Sequence, residues 1–399
     1  MIITSLLDTD FYIFTMAQTF LHNHPAIITK SRFKCRNEFI ADELLPLMER
    51  INNELDSLCE LRFTEEELEY LSSYSFFTPD FIEYLRMFKL NRNYIECHIK
   101  DNELFIDVEG PEISCIWFEV PVLAIVSELY SHSQTDANGE LFSKYWEEGV
   151  RRFEDKMTQL KSLFLTDTVD DFKYADFGTR RRFCKSFQDY LVERMKKKFY
   201  PKHFVGTSNV YLAMKHGIKA IGTMAHRYIC AFQQLGVRLE DSQKQALETW
   251  VKEYRGHLGI ALTDTVGFDA FLNDFDLYFA KLFDGCRHDS GNPYRWCEDL
   301  ISHYRILGID PRTKTAVFSD GLSVEKMIAL YTTFRGRIKV SFGIGTNLMN
   351  DTGLTPPNIV LKMVECEGRP VAKIADSPGK GMCEDPDFES YLKKVYEIQ

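Results

Sequence analysis

The sequence predicts an α/β protein in which an irregular βα barrel is joined to a smaller α+β block. Three observations favour this fold class. After about Tyr174, short apolar segments each end in a Gly-, Ser-, Thr- or Asp-rich turn and are followed by a helical pattern. The first 125 residues mix helix-period and strand-period segments. The length of 399 residues exceeds one typical domain but fits a barrel with a partner domain.

Composition and charge narrow the classes of function. With 45% hydrophobic and 27% charged residues, the chain can bury a large core. The formal net charge of −11 argues against a broad nucleic-acid surface, so an anionic small substrate would need a local basic pocket. The ten cysteines include no C-x-x-C pair, and the pattern of a signal peptide or membrane span is absent. We therefore expect a reduced, cytoplasmic protein that binds neither nucleic acid nor membrane.

The N-terminal block contains helical and strand patterns in alternation. Residues 10–20 have the spacing of an amphipathic helix, and Thr64 opens a helix with the capping-box-like pattern Thr-Glu-Glu-Glu. Further periodic stretches predict strands at 31–35 and 94–99 and helices at 121–132 and 139–163. This mixture is typical of an α+β domain followed by a helical connection.

Seven βα-like units follow. Their predicted strands are 174–177, 204–206, 219–221, 258–262, 281–285, 315–318 and 338–342. Seven units in one run favour a parallel barrel over an open sheet, although periodicity alone fits both. In either arrangement the functional residues lie beyond the carboxyl ends of the strands. The turns after these strands should therefore converge on one face.

His226 is the central candidate because it lies on a polar turn directly after the predicted strand 219–221. Imidazole titrates nearest to neutral pH and can accept a phosphoryl group. The alternative is a structural histidine that caps a helix or lies in the core. Arg180, the first residue of Arg180-Arg181-Arg182, follows another strand and should point into the site, where it could bind phosphate oxygens.

Two further sets of turns have residues that could bind a phosphate group or a ribose. The glycine turns at 319–323 and 343–347 can present N–H groups and hydroxyls to a phosphate, so they supply candidate ligands. These candidates are Gly321, Gly345 and Thr346. Asp289 and Asp320 suit ribose hydroxyls or a Mg²⁺ ion carried by a pyrophosphate. Their alternative role is helix capping.

In combination these motifs resemble those of a known family. From Leu6-Leu7-Asp8-Thr9-Asp10-Phe11-Tyr12, through the turns above, to Asp376-Ser377-Pro378-Gly379-Lys380, the chain resembles the nicotinate phosphoribosyltransferases, which are type II phosphoribosyltransferases. The resemblance implies that the α+β domain is built from residues 1–125 and 350–399. It also implies that residues 126–349 form an irregular α/β barrel that carries the active site.

The resemblance implies a reaction as well. The phosphoribosyl group of 5-phosphoribosyl 1-diphosphate would pass to the ring nitrogen of nicotinate, which gives nicotinate mononucleotide and diphosphate in NAD salvage. ATP hydrolysis would be coupled through a transient phosphohistidine at His226. Mg²⁺ would enter with the diphosphate substrate, and the protein would hold no metal of its own.

Individual residues also match the family's motifs. Thr223 and Arg287 match the residues that hold the nicotinate carboxylate, and Phe177 and Tyr12 match the aromatics that enclose the pyridine ring. Tyr12 would enter from the neighbouring subunit, which implies a head-to-tail homodimer with shared active sites. Gly345 and Thr346 match the 5′-phosphate cradle, and Asp289 and Asp320 match the ribose and metal side.

Two kinds of alternative remain at this point. Relatives that use nicotinamide have an aspartate where this chain has Ser208, so the serine favours the acid substrate over nicotinamide. Ser208 could instead only cap the next helix. A quinolinate-using enzyme, or a non-catalytic barrel that binds a phosphorylated metabolite, is the other alternative. A binding protein would have no use for a phosphorylatable histidine beside Arg287.

Overall fold

The computed structural model describes residues 1–136, 139–165, 169–236 and 238–398. Its strands form one antiparallel and one parallel sheet. In chain order the strands are β1 (Ile28–Cys35), β2 (Ile95–Lys100), β3 (Glu103–Pro111), β4 (Lys173–Asp176), β5 (Phe204–Thr207), β6 (Ile260–Leu262), β7 (Gly285–His288), β8 (Thr315–Phe318), β9 (Lys339–Ile344), β10 (Ile359–Cys366) and β11 (Arg369–Pro370).

Helices flank both sheets. They are α1 (Phe11–Asn23), α2 (Glu38–Leu44), α3 (Met48–Cys59), α4 (Glu65–Ser72), α5 (Pro79–Met87), α6 (Glu112–Cys115), α7 (Glu119–Ser133), α8 (Glu140–Phe164), α9 (Lys185–Phe199), α10 (Val210–His216), α11 (His226–Phe232), α12 (Ser242–Tyr254), α13 (Phe268–Asp274), α14 (Leu277–Leu282), α15 (Pro293–Ile306), α16 (Val324–Phe334), α17 (Thr346–Met349) and α18 (Pro386–Val395). Thr64 caps α4 in a capping box with Glu67, as its sequence predicts.

The antiparallel sheet joins the two ends of the chain. Its strand order is β11-β10-β1-β3-β2, so the C-terminal β10 lies beside the N-terminal β1. Phe33 of β1 is opposite Leu361 of β10, and Ser31 is opposite Val108 of β3. The predicted α/β fold with a second α+β domain is thereby confirmed. The domain limits at residues 125, 126, 349 and 350 stay predictions.

The parallel sheet has the order β5-β4-β9-β8-β7-β6, and each pair in it is parallel. Its strands are three to six residues long and are separated by helices, as the βα pattern predicts. All the carboxyl ends therefore lie on one side. The barrel is irregular because, within the described residues, β5 and β6 are not hydrogen-bonded to each other.

Two of the seven strand predictions are wrong. Residues 219–221 form only one bridge, between Thr207 and Ala220, because the following Gly222 packs against α1 instead of a further strand. The prediction of a strand at 281–285 fails because Asp276 accepts two backbone N–H groups and starts α14 there. The strand begins at Gly285, where an added Cβ would lie 1.9 Å from the Thr315 oxygen.

Two helices lie in the core. The helix predicted at 10–20 exists as α1, but it is not amphipathic, since all its residues from Phe11 to Phe20 are buried. Aromatic side chains enclose it: Phe11 contacts Phe77 on one side, and Phe20 contacts Tyr228 on the other. The segment Glu112–Ser133, which includes α7, is long and apolar enough to cross a membrane, but 89% of its apolar window is buried inside the protein. A core helix of a soluble protein has this character.

Candidate active site

A cavity of about 860 Å³ lies between the carboxyl ends of the parallel strands and the antiparallel sheet. Eleven of the twelve side chains or glycines predicted for the site line it: Tyr12, Phe177, Arg180, Ser208, His226, Arg287, Asp289, Asp320, Gly321, Gly345 and Thr346. A larger cavity of about 1330 Å³ lies beside it, beyond the segment 374–384, and contains none of these residues. The convergence expected from the strand ends is therefore observed in the smaller cavity.

Thr223 is the predicted residue that does not line the cavity. Its hydroxyl donates a 2.9 Å hydrogen bond to the Ile260 carbonyl, and its own carbonyl accepts from Thr15. These bonds fasten the turn before His226 to β6 and α1. The Thr223 hydroxyl is therefore bonded to the backbone in this structure, and a contact between Thr223 and a substrate carboxylate stays a prediction of the family resemblance.

Tyr12 lines the cavity of its own chain. Its hydroxyl donates to Glu119 Oε1 at 3.1 Å, and the Arg180 guanidinium lies 5.9 Å from the centre of its ring. The structure thus places Tyr12 at the cavity of its own chain, and its entry into the site of a neighbouring subunit stays a prediction of the family resemblance. The helix α1 packs beside the turn before His226, because Thr15 donates to the Thr223 carbonyl.

His226 is the first residue of α11 and is 14% exposed. Its Nε2–H donates to Asp264 Oδ1 at 2.8 Å, and Asp289 Oδ2 lies 3.6 Å from the same nitrogen. Burial, together with the charge of Lys373, lowers the pKa of His226 to about 4, although Asp264 opposes the shift. The imidazole is therefore neutral at pH 7. Because Nε2 carries the hydrogen that forms the hydrogen bond to Asp264, Nδ1 is unprotonated and keeps the nucleophilic lone pair.

Asp264 was not singled out from the sequence, yet it organises this corner of the cavity. Its second oxygen accepts from Ser290 Oγ at 2.6 Å and pairs with Lys373 at 3.0 Å. Burial raises the pKa of Asp264, but His226 and Lys373 outweigh burial and hold the pKa well below its usual value. Asp264 therefore stays ionised and fixes the imidazole.

His226, Asp264 and Asp289 each offer a ligand atom within 4.8 Å of the others. Carboxylate oxygens are the ligands that Mg²⁺ prefers, so Asp264 and Asp289 fit this ion. Asp289 accepts from the Ser319 hydroxyl through Oδ1 and has Oδ2 near His226. Burial raises the pKa of Asp289, but Arg287 outweighs it and brings the pKa to about 2, so Asp289 is ionised.

Further basic side chains line the cavity and are called here the basic wall. Those that the sequence analysis did not assign to the site are Lys34, Arg36, Arg181, Arg227, Lys362, Lys373 and Lys380. Lys380 pairs with Asp320, whereas Arg36, Arg181 and Lys362 form no salt bridge within the described residues. Burial and then Lys373 lower the pKa of Lys362 to about 7, and burial and then Arg180 lower that of Arg181 to about 10. Crowded, unpaired cations of this kind favour an anionic ligand.

Arg180 lies at the other end, between two buried carboxylates. Its Nε is 3.7 Å from Asp10, and its Nη1 is 3.8 Å from Glu119. The prediction that Arg180 points into the site agrees with its position in the cavity wall. Arg182, by contrast, is fully buried and pairs with Asp8, so it has a structural role.

Ser208 donates from its hydroxyl to Asp10 Oδ1 at 2.7 Å. The cap of α10 is the neighbouring Asn209, whose side chain accepts the Leu212 N–H. The capping alternative for Ser208 is therefore wrong. It is also wrong for Asp289 and Asp320, because Asn292 caps α15 and Ser323 caps α16.

The glycine turns bring backbone close to backbone. An added Cβ at Gly345 would lie 2.9 Å from the Phe177 oxygen, and one at Gly343 would lie 2.2 Å from the Phe177 ring. Gly321 has φ +52°, which favours glycine, and starts the turn that leads to α16. These close approaches let Phe177 and Thr346 line the same cavity.

Comparison with known proteins identifies the family. The sequence model of the nicotinate phosphoribosyltransferase (NAPRTase) family matches residues 172–399, and that of the NAPRTase N-terminal domain matches residues 7–127. The chain belongs to the nicotinate phosphoribosyltransferase family. It is 50% identical to the nicotinate phosphoribosyltransferase of Ralstonia pickettii over 403 residues, which cover 100% of both chains. It is 52% identical to that of Chromobacterium violaceum, which covers 100% of this chain and 98% of the relative.

Solved structures of the family have the same fold. The nicotinate phosphoribosyltransferase of Vibrio cholerae superimposes with a TM-score of 0.92 at 38% identity, covering 100% of this chain and 94% of that one. The Porphyromonas gingivalis enzyme superimposes with a TM-score of 0.88 at 31% identity, covering 100% of both. The chain is thus an enzyme of this family, and the cavity at the strand ends is its candidate active site.

Proposed function

We propose that the chain transfers the phosphoribosyl group of 5-phosphoribosyl 1-diphosphate to nicotinate with coupled ATP hydrolysis, in NAD salvage. The observation that carries this proposal is the composition of one cavity. The cavity holds a neutral His226 that is hydrogen-bonded to the Asp264 carboxylate, and it holds cations without a salt-bridge partner. At another strand end, the Phe177 ring lies beside the turn Gly345-Thr346. Phosphate, pyridine and phosphoryl acceptor can all be bound in that single space.

Nicotinate is assigned to the end that holds Tyr12 and Phe177. Both rings line the cavity there, and a flat heteroaromatic held against aromatic faces presents its nitrogen in a fixed direction. The substrate carboxylate pairs with a guanidinium. Arg287 is the first candidate, because its Nε is buried without a hydrogen-bond partner within the described residues.

The phosphoribosyl donor is assigned to the remaining wall. Gly345 and Thr346 bind its 5′-phosphate, Asp289, Asp320 and Gly321 lie on its ribose side, and the basic wall receives the diphosphate. Mg²⁺ would neutralise charge on the diphosphate when bound, with Asp264 and Asp289 as the carboxylates able to hold it. The protein's own contribution is to fix the donor's C1 carbon in line with the pyridine nitrogen.

ATP acts through His226. The unprotonated Nδ1 attacks the γ-phosphorus, ADP leaves, and the Nε2 proton stays hydrogen-bonded to Asp264. The phosphorylated imidazole then adds negative charge beside the basic wall, which changes how strongly the neighbouring cations hold the diphosphate. The phosphohistidine is hydrolysed within each turnover.

The proposal extends to a cytoplasmic protein without nucleic-acid or membrane partners, in agreement with its acidic composition. A homodimer stays a prediction of the family resemblance. Tyr12 lines the cavity of its own chain, and a contribution of Tyr12 to a neighbouring site stays part of that prediction. Ser208, which is neutral, supports nicotinate over nicotinamide as the substrate.

Labelling with γ-labelled ATP tests the phosphoryl step. We expect an acid-labile, alkali-stable phosphoprotein that disappears in His226→Ala, while that variant retains slow, ATP-independent transfer. His216→Ala is the matched control, because the Nε2 of His216 also contacts a carboxylate, that of Asp189 at 2.7 Å, but lies outside the cavity. Label that persists in His226→Ala, or is lost equally in the control, would refute the assignment.

A further inference from the structure

Asp176 is a fully buried carboxylate at the end of β4, directly below the candidate active site. Its Oδ1 accepts the Gly178 N–H at 2.7 Å. Its Oδ2 accepts from the Thr207 hydroxyl at 2.7 Å and from Gln188 Nε2 at 2.9 Å. Three donors thus converge on one carboxylate that does not itself line the cavity.

Two of these donors belong to loops that carry the proposed nicotinate end. Gly178 follows Phe177 and precedes the turn with Arg180, and Thr207 precedes Ser208. The backbone makes the same connection, because the Ser208 N–H donates to the Asp176 carbonyl at 2.8 Å. Asp176 therefore links the loop after β4 to the loop after β5. A shift of its carboxylate would move Phe177 and Ser208 relative to each other.

We propose that Asp176 is a positioning residue that holds Phe177 and Ser208 in the geometry that binds nicotinate. The inference rests on the nicotinate end assigned above. Asp176 acts through Gly178 and Thr207 without touching substrate. Its three bonds require an acceptor at both oxygens, which a carboxylate supplies and a carboxamide does not.

Asp176→Asn tests this proposal. In one orientation the NH₂ group of the new amide faces the Gln188 amide nitrogen, and in the other it faces the Gly178 N–H. Either way, one hydrogen bond to residue 176 is lost and two N–H donors point at each other. We expect the KM for nicotinate to rise about tenfold, equivalent to about 1.4 kcal/mol, while the KM for 5-phosphoribosyl 1-diphosphate stays within about twofold. Adding Gln188→Glu returns an acceptor opposite the new amide and should recover most of the nicotinate KM.

The matched control is Asp274→Asn. Asp274 is also buried and accepts from a glutamine, Gln243, at 2.9 Å, but it lies outside the cavity. This variant should lower the melting temperature and leave both KM values unchanged. If Asp176→Asn does not fold, Thr207→Val replaces it, because this change removes one donor and leaves the carboxylate in place. It should raise the nicotinate KM about threefold.

Two results would overturn the proposal: an unchanged nicotinate KM in the folded variant, or an equal rise in both KM values that Gln188→Glu does not reverse. Absence of nicotinate turnover in the unsubstituted enzyme would instead count against the proposed function. Equilibrium binding of nicotinate to each variant, measured by calorimetry, separates a positioning effect on affinity from an effect on the chemical step.

Discussion

The protonation state of His226 gives the most quantitative prediction. Its pKa is lowered to about 4, chiefly by burial and next by Lys373. At pH 6 a group with this pKa is about 99% neutral, whereas an unperturbed histidine with a pKa of 6.5 is about 24% neutral. Only the neutral form has the lone pair that attacks phosphorus. Between pH 7.5 and 6 the labelling rate should therefore change little, whereas an unperturbed histidine would slow about fourfold.

The assay is the initial rate of phosphoprotein formation at saturating ATP between pH 5 and 8. A parallel NMR titration of ¹⁵N-labelled histidine in metal-free buffer, with His226→Ala to assign the signal, reports the pKa directly. Lys373→Met should raise this pKa, because the lysine charge is removed while Asp264 remains. A midpoint near 6.5 in the unsubstituted protein, with the fourfold decline in labelling, would refute the account of the neutral imidazole.

Two further predictions concern the nicotinate end. Mixed Tyr12→Ala and Arg287→Ala subunits should recover no activity even with proven subunit exchange, because each chain supplies both residues to its own cavity; recovery in a complementation assay would support the shared-site hypothesis. Ser208→Asp should lower kcat/KM for nicotinate by about a hundredfold or more and affect nicotinamide much less, since a second carboxylate would lie beside Asp10. Unchanged nicotinate kinetics in Ser208→Asp would contradict this specificity argument. A loss of helix capping cannot explain a change in the kinetics, because Asn209 caps α10.

The fold was largely predictable from local patterns. Strands such as β8 (Thr315–Phe318) and helices such as α7 are encoded by periodicity and by the turns that bound them. The strand predicted at 219–221 failed because pairing is a tertiary property: Gly222 packs on α1, from the far end of the chain. The same long-range contact buries α1 on all sides, which its sequence period does not reveal.

The site was predictable where residues follow parallel strands and was missed elsewhere. Arg287 lies near the carboxyl end of β7 and Asp289 directly follows the strand, so the topology alone brings them to the cavity. Asp264 follows β6 and could have been found by the same rule. Lys362 and Lys373 could not, because Lys362 lies on β10, which pairs with the distant β1, and Lys373 follows β11, which pairs with β10. The backbone contact of the Thr223 hydroxyl could not be predicted either, because sequence does not show where a hydroxyl donates.

The most direct test of the account is a substrate comparison with the purified enzyme. Nicotinate, nicotinamide and quinolinate are each incubated with 5-phosphoribosyl 1-diphosphate and Mg²⁺, with and without ATP, and mononucleotide and diphosphate are quantified. We expect nicotinate mononucleotide and diphosphate in equal amounts, faster with ATP, and kcat/KM for nicotinamide lower by about a hundredfold or more. Comparable turnover of nicotinamide or quinolinate, or no product from any of the three, would contradict the central claim.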